Sequence, residues 1–171
     1  VAGGVSGAWG YRHEIRGLGG TLARLAPVSL VGSVIGALLL LVLPPAAFET
    51  IVPVLILLGV LLVIFGPRIN AWARGHHTSH ALTPGRWVAL VAGILVAGVY
   101  GGYFGAAQGV LIIGLMSVLT AEGMQSITGL KNLLVTAVNA IAAVTFLLVS
   151  PEAVDWMVVL LITIGATAGG V

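Results

Sequence analysis

A glycine-rich stretch, residues 101–109, contains the first residues whose types could do chemistry. It reads Gly-Gly-Tyr-Phe-Gly-Ala-Ala-Gln-Gly. If one helix ends and another begins here, the first N–H groups of the second helix lack intrahelical partners and can bind an anion. The alternative interpretation is that the glycines only let helices pack tightly. The candidate binding residues in this stretch are Gly101, Gly102, Gly105, Gln108 and Gly109.

Three polar residues in a later apolar stretch could complete such a site. They are Lys131, Asn132 and Asn139, within residues 124–149. Lys131 can pair with an anionic substrate inside the membrane, or its long stem can carry the ammonium to the interface. Asn132 and Asn139 are seven residues apart and therefore lie on roughly the same helix face. They either bond neighbouring helices together or line a pathway.

The composition determines what kind of scaffold must position these residues. Hydrophobic residues make up 59% of the chain, charged residues only 7%, and the mean hydropathy is +1.17. Soluble domains have about 25% charged residues, so this chain could not cover a water-exposed surface. Its apolar runs are continuous rather than alternating, which favours helices over barrel strands. The predicted fold class is therefore all-α, a polytopic integral membrane protein built as a helical bundle.

The uncharged run around the glycines predicts a broken helix. It extends from Trp87 to Ala121, 35 residues without Asp, Glu, Lys, Arg or His. One straight helix of that length would measure about 52 Å. That exceeds the ~30 Å hydrocarbon core, while two full spans and a turn do not fit. We therefore expect a broken or re-entrant helix pair, with non-helical backbone that is buried in protein or lines a cavity.

The remaining apolar stretches predict further spans. These are 25–43, 50–66, 124–149 and a last one that starts near Trp156. We expect Pro44-Pro45 and Gly66-Pro67 to end the first two, because proline removes a helix hydrogen bond. Pro27 would lie in the first turn of its helix, where proline is tolerated. Gly32 and Gly36 are four residues apart, which lets a neighbouring helix approach closely.

The charges predict an orientation and a repeat. Six of the seven Lys and Arg residues lie in two segments, 9–24 and 67–86. The positive-inside rule puts both segments in the cytoplasm. The acidic turn at 150–156 precedes a span with a Gly-x-x-x-Gly motif, as the basic 9–24 loop does. Equivalent loops of opposite charge predict an inverted repeat, whose halves cross the membrane in opposite directions.

Patterns for catalysis or metal binding are weak. His76, His77 and His80 could bring two imidazoles together on a helical turn, but no acid or cysteine joins them. We interpret that segment as a solvated basic loop. A chain without cysteine can form neither a disulfide nor a thiolate metal site. Since no acid pair or His-Glu-x-x-His motif occurs either, we expect no enzyme activity, no cofactor, no metal and no nucleic-acid partner.

Three segments together carry a resemblance to a known family. They are Gly-Val-Tyr-Gly-Gly-Tyr-Phe-Gly-Ala-Ala-Gln-Gly at 98–109, Gly-Leu-Lys-Asn-Leu-Leu-Val-Thr-Ala-Val-Asn-Ala at 129–140 and Val-Asp-Trp at 154–156. In order and spacing they resemble the second repeat of the sulfite exporter TauE/SafE family. In this chain Ala106, Ala107 and Gln108 stand where that family frequently has glycine.

The resemblance implies an architecture and a location. Members of that family are inner-membrane transporters of bacteria and archaea, with two homologous repeats of several helices. By this resemblance, residues 1–66 form the last part of the first repeat, 67–86 a basic cytoplasmic linker and 87–171 the first part of the second repeat. The chain would then be an internal piece of a longer multi-pass protein in a prokaryotic plasma membrane. The oligomeric state is not implied.

The resemblance also implies an activity. Family members are associated with the movement of sulfite, sulfonates and related small anions, so we expect a secondary transporter of such an anion. By resemblance, the glycine-stretch candidates, Lys131, Asn132 and Asn139 would line its pathway. The alternative is a non-transporting membrane scaffold or assembly protein, in which the amides only bond helices together.

Overall fold

The computed structural model describes residues 18–75, 83–105, 107–120 and 122–168. The expectations for most of the 9–24 loop and for the histidine cluster lie outside these residues. Every regular element in the described part is helical, which confirms the all-α prediction.

Six α-helices follow one another along the part of the chain that the structure describes. They are α1 Gly19–Val42, α2 Pro45–Gly75, α3 Pro84–Tyr103, α4 Gln108–Leu119, α5 Met124–Val149 and α6 Trp156–Ala168, with a single 3-10 turn at Pro151–Ala153. Among the described helices, α1, α3 and α5 are each long and apolar enough to cross a membrane. The 12 residues of α4 measure only about 18 Å. The chain is therefore a polytopic membrane protein in which the short helix α4 follows α3.

Two predicted helix boundaries are wrong. Helix α2 continues through Gly66-Pro67 to Gly75, so the segment after 66 begins as helix rather than as a linker. Proline removes one helix hydrogen bond, but chain in or near lipid has few other partners for its backbone, so the helix continues. Helix α1 begins at Gly19 instead of Leu25, which leaves Pro27 inside the helix. Burial of Leu18 and Leu25 against the same core favours the earlier start.

Helices α1 and α3 cross with their backbones in contact. A Cβ atom added at Gly32 would lie 2.5 Å from the Leu95 carbonyl oxygen, and one at Gly36 would overlap the Val99 carbonyl oxygen. The arrangement is reciprocal, because a Cβ at Gly98 would lie 2.5 Å from the carbonyl oxygen of Ser29. Such close approach is available only to glycine, so the predicted packing role of Gly32 and Gly36 is confirmed.

The contacts also give the relative directions of the helices. Ser29 lies against Gly98 and Ser33 against Gly102, so α1 and α3 run parallel. At their starts, the Arg24 guanidinium stacks 5.8 Å from the Trp87 ring centre. Basic residues from the two predicted cytoplasmic segments therefore lie at the same end of the bundle.

Helix α4 turns back along α3, and α5 then runs forward again. Gln108 contacts Gly101 whereas Leu115 contacts Gly93, so α3 and α4 form an antiparallel hairpin. A short connection leads into α5, whose Val138 carbonyl accepts a hydrogen bond from the Ser33 hydroxyl at 2.9 Å. The three long helices α1, α3 and α5 thus run the same way, with Glu152 and Asp155 at the end opposite Arg24. Asp155 caps α6 by accepting hydrogen bonds from the Met157 and Val158 N–H groups.

Side chains of α1, α3, α4 and α5 enclose one apolar core. Ten buried residues form it: Leu18, Leu25, Leu90, Ile94, Ala97, Ile112, Met116, Ile127, Leu130 and Leu134. Five of them lie in the first halves of α1, α3 and α5, and Leu18 directly precedes α1, so much of the core lies between the basic end and the glycine stretch. This core determines which faces of α4 and α5 turn inward. Helix α6, in contrast, exposes its large apolar side chains along its length. The inverted repeat to which α6 would belong stays a prediction.

The two buried serines of α1 form a matched pair for measuring the Ser33 hydrogen bond. Ser33→Ala is expected to lower the free energy of unfolding by about 0.5–1.5 kcal/mol, because the hydroxyl bonds the Val138 carbonyl across two helices. Ser29→Ala is expected to be neutral or stabilising, because the Ser29 hydroxyl has no hydrogen-bond partner among the described residues. Thermal unfolding of the detergent-solubilised protein checks both. Equal destabilisation by the two changes would contradict the assignment.

Candidate functional site

The predicted break in the uncharged run begins where α3 ends. The N–H groups of Phe104 and Gly105 both donate to the Tyr100 carbonyl, at 2.9 and 3.1 Å, which closes the last turn. Gly105 follows with φ of +79°, a left-handed conformation that glycine adopts without steric cost. The broken helix pair is therefore confirmed. Gly101 and Gly102, however, still belong to α3, and the chain leaves the helix only after Tyr103.

Helix α4 begins from a strained residue. Ala107 has φ of 60° and ψ of 6°, a left-handed conformation that costs a residue with a Cβ roughly 1–2 kcal/mol. Its carbonyl accepts hydrogen bonds from the Val110 and Leu111 N–H groups. Position 107 is one at which the family that the sequence resembles frequently has glycine. Glycine would adopt this conformation without strain. The N–H groups of Gln108 and Gly109, the first two residues of α4, precede the intrahelical bonds and are available to a ligand.

The side chain of Gln108 is completely buried at the start of α4. It has 0% exposure, and its amide group lies over Gly101, where any Cβ would occupy the same space. Neither amide atom hydrogen-bonds any residue that the structure describes. A buried amide without partners costs about 1–3 kcal/mol. A polar group kept in this state at a helix N-terminus suggests that its partner is a ligand.

Lys131 approaches the same helix start from α5. A Cβ at Gly109 would lie 3.0 Å from the Lys131 Cδ atom, so the lysine stem crosses the first turn of α4. The sequences of the four described helices that surround the core, α1, α3, α4 and α5, contain no Asp or Glu. The ammonium therefore has no carboxylate partner on any of these helices. Together with the positive end of the α4 dipole, it makes this region attractive to an anion.

The predicted site residues separate into two groups. Four of them meet at the start of α4: Gly101, Gln108, Gly109 and Lys131. Gly102 instead packs against the Ser33 backbone, and Gly105 shapes the chain after α3.

The two asparagines lie away from that meeting point. Asn132 is half-buried and Asn139 is exposed, on the flank of α5 that turns away from the buried side chains of Leu134 and Val138. The Asn132 carbonyl accepts a hydrogen bond from the Thr136 hydroxyl at 2.7 Å. No contact given by the described residues brings either side chain to Gln108, so their predicted role in binding stays a prediction.

The sequence analysis missed two buried hydroxyl groups, one on α1 and one on α3. Ser29 lies one helical turn before Ser33 and level with Gly98, and its hydroxyl is buried without a partner among the described residues. The Tyr100 hydroxyl is in the same state, and Tyr100 directly precedes Gly101, which contacts Gln108. The repeated pattern Ser-x-x-Gly in α1 could have indicated Ser29, because serine inside a span requires a partner.

Replacing Gln108 should raise the thermal stability of the protein and lower its anion flux. Gln108→Met removes the two amide atoms that lack partners and fills the space with a flexible apolar chain, so we expect the ligand-free protein to melt at a higher temperature. Anion flux in proteoliposomes should fall at the same time. Gln125→Met, at an exposed position in the first turn of α5, is the matched control and should change neither property. A lower melting temperature for Gln108→Met would indicate that the amide has a structural partner.

Comparison with known proteins gives one match. The sequence model of the family described as Sulfite exporter TauE/SafE matches residues 1–171. No curated protein matches the chain. No solved structure matches it either.

Proposed function

Because the chain belongs to the sulfite exporter TauE/SafE family, whose members are membrane transporters, we propose that it moves a small anion across a prokaryotic plasma membrane. Sulfite, an organic sulfonate or a related organic anion is the proposed cargo. The observation that carries the proposal is the meeting of a helix N-terminus, a buried amide and a lysine on helices that contain no acid.

The geometry supports a division of roles among these groups. The first N–H groups of α4 would bind the oxygens of the anion, and the Lys131 ammonium would balance its charge. The Gln108 amide, which has both a donor and an acceptor, would orient it. The three groups bind, neutralise and orient an anion, which favours transport over catalysis as the activity.

We further propose a secondary transporter that works by alternating access. The antiparallel hairpin of α3 and α4 brings the break to the end of α3, so a small movement of α4 against α3 would open or close the path to Gln108. Interrupted helices with binding sites at the interruption are typical of secondary transporters. By the positive-inside rule, the end that carries Arg24 and Arg86 would face the cytoplasm.

Flux measurements with the full-length protein test the proposal. The protein is reconstituted into liposomes, and the uptake of sulfite and methanesulfonate is compared with that of empty liposomes. We expect saturable flux of at least one of the two anions. Liposomes that contain folded protein but show no flux above the empty control for either anion would contradict transport of this cargo.

Thiol accessibility separates a transporter from a membrane scaffold. The chain has no cysteine, so Gln108→Cys introduces the first thiol into it. If the site opens to water, a water-soluble thiol reagent should modify that thiol, and substrate should slow the reaction. Ile112→Cys, completely buried one turn later in α4, is the matched control and should stay unreactive. Protection of both thiols under every condition would favour the scaffold.

A further inference from the structure

We propose that the site at the start of α4 accepts singly charged anions and rejects dianions. This inference rests on the proposed function and narrows its substrate class to hydrogen sulfite, sulfonates and carboxylates. Sulfate and the fully deprotonated sulfite dianion are excluded. Two observations carry it, the number of charges near the site and the distance to the next cation. The hydrogen-bonding chemistry of Gln108 adds a preference for hydrogen sulfite within that class.

Lys131 is the single basic side chain in the middle of the four core helices. In the sequences of α1, α3, α4 and α5 the other charged side chains are Arg24 and Arg86. Both lie at the basic end of the bundle, where Arg24 stacks on Trp87. Gly101, which contacts Gln108, is 15 residues beyond Arg86 along α3. That separation is about 22 Å, so neither arginine neutralises charge at the start of α4.

The positive charge at the site favours a monoanion because the cost of burying an ion grows faster with its charge than the attraction to the site does. A helix N-terminus contributes the equivalent of roughly +0.5 elementary charge, which adds to the charge of Lys131. This total of about +1.5 lies midway between the charges of a monoanion and a dianion, so charge balance alone does not separate them. From monoanion to dianion the attraction to the site doubles, whereas the Born cost of leaving water rises about fourfold, so the dianion is the less favourable ligand of a buried site.

Within that class, the Gln108 amide favours hydrogen sulfite, which carries a donor as well as acceptors. Its nitrogen donates and its oxygen accepts, and both atoms are buried without partners among the described residues. A fully deprotonated oxyanion, whether a dianion or a sulfonate or carboxylate monoanion, offers only acceptors, so it would leave the amide oxygen unsatisfied. A singly protonated oxyanion offers both and can satisfy both atoms. This buried side chain is an observation independent of the helix N-terminus and of the charge of Lys131.

Helices α1, α3, α4 and α5 contain no histidine, so no imidazole on them changes its charge near neutral pH. The other ionisable side chains on the elements around the site are Tyr100 and Tyr103 of α3, and Glu49, Arg68 and Arg74 of α2, which packs against α4. Glu49 is exposed in the first turns of α2. A pH dependence specific to sulfite would therefore report the ionisation of the substrate.

The test uses the full-length protein in liposomes with three probes. Sulfite changes from monoanion to dianion near neutral pH, methanesulfonate stays a monoanion and sulfate stays a dianion. Sulfite flux below saturation is divided by methanesulfonate flux at each pH, which removes any pH effect common to both. Above the second ionisation of sulfite we expect this ratio to fall about tenfold per pH unit. Excess sulfate should not inhibit methanesulfonate flux.

The opposite results would overturn either the monoanion proposal alone or the proposed transport as well. A ratio that stays constant or rises with pH, or inhibition by sulfate as strong as that by unlabelled methanesulfonate, overturns the monoanion proposal while transport itself stands. Absence of flux for all three probes instead overturns the proposed function, and the monoanion proposal with it. In Gln108→Met, the preference for hydrogen sulfite over methanesulfonate should narrow, whereas Gln125→Met should retain it.

Discussion

Lys131→Met is expected to reduce anion flux about a hundredfold or more in proteoliposomes. The change leaves a buried anion without its counter-charge, and removing one partner of a buried ion pair costs about 3–5 kcal/mol. A loss of 1.4 kcal/mol corresponds to about a factor of ten in binding. The fold should tolerate the change, because methionine can follow the same path over Gly109 as the lysine stem does.

Two further variants complete that experiment. Lys131→Arg retains the charge and should retain part of the flux. Arg68→Met removes an exposed cation of α2, outside the four core helices, and should leave flux close to that of the unchanged protein. If Lys131→Met transports as well as Arg68→Met, then Lys131 only carries its ammonium to the membrane interface, the alternative that the sequence left open.

Gly36→Ala should be among the most damaging small changes in the scaffold. The added Cβ would overlap the Val99 carbonyl oxygen and approach the Tyr103 nitrogen to 2.8 Å. Both are backbone atoms, so no side-chain rotation relieves the contact and the two helices must separate. Overpacking of this kind costs typically 1–3 kcal/mol and more where the backbone must move. Because α3 also holds Gly101 under the Gln108 amide, anion flux should fall together with stability.

The control for this effect is a glycine with open space around it. A Cβ at Gly165 of α6 meets nothing within 4 Å, so Gly165→Ala should leave the melting temperature unchanged or raise it slightly, as expected for alanine in a helix. Both variants can be compared by the thermal stability of the detergent-solubilised protein. A melting temperature for Gly36→Ala equal to that for Gly165→Ala would contradict the close α1–α3 crossing.

The glycines between residues 98 and 105 have three different structural roles. Gly98 and Gly102 let the backbone of α1 approach, Gly101 makes room for a buried amide, and Gly105 supplies a left-handed turn. The sequence analysis treated tight packing and an anion-binding break as alternatives. Tight packing and a break both occur, at different glycines of one segment, because α3 faces α1 on one side and α4 on the other. Anion binding at the break stays a proposal.

The sequence by itself determined the membrane class and the break. Charge content and the length of the uncharged run are properties of the chain alone. Combined with the bilayer thickness, they require membrane spans and a break in the helix, however the helices pack. The family could also be recognised at this level, because order and spacing of the segments around 98–109 and 129–140 survive without any coordinates.

Only the tertiary structure decided which polar residues meet. Lys131, Asn132 and Asn139 look alike in sequence as polar residues of one span, yet Lys131 lies over the start of α4 while Asn139 is exposed. The difference depends on which face of α5 the core side chains draw inward, and that depends on other helices. The same holds for Gly66-Pro67, where a local helix-breaking signal did not end α2, because backbone hydrogen bonds in a membrane have few competitors.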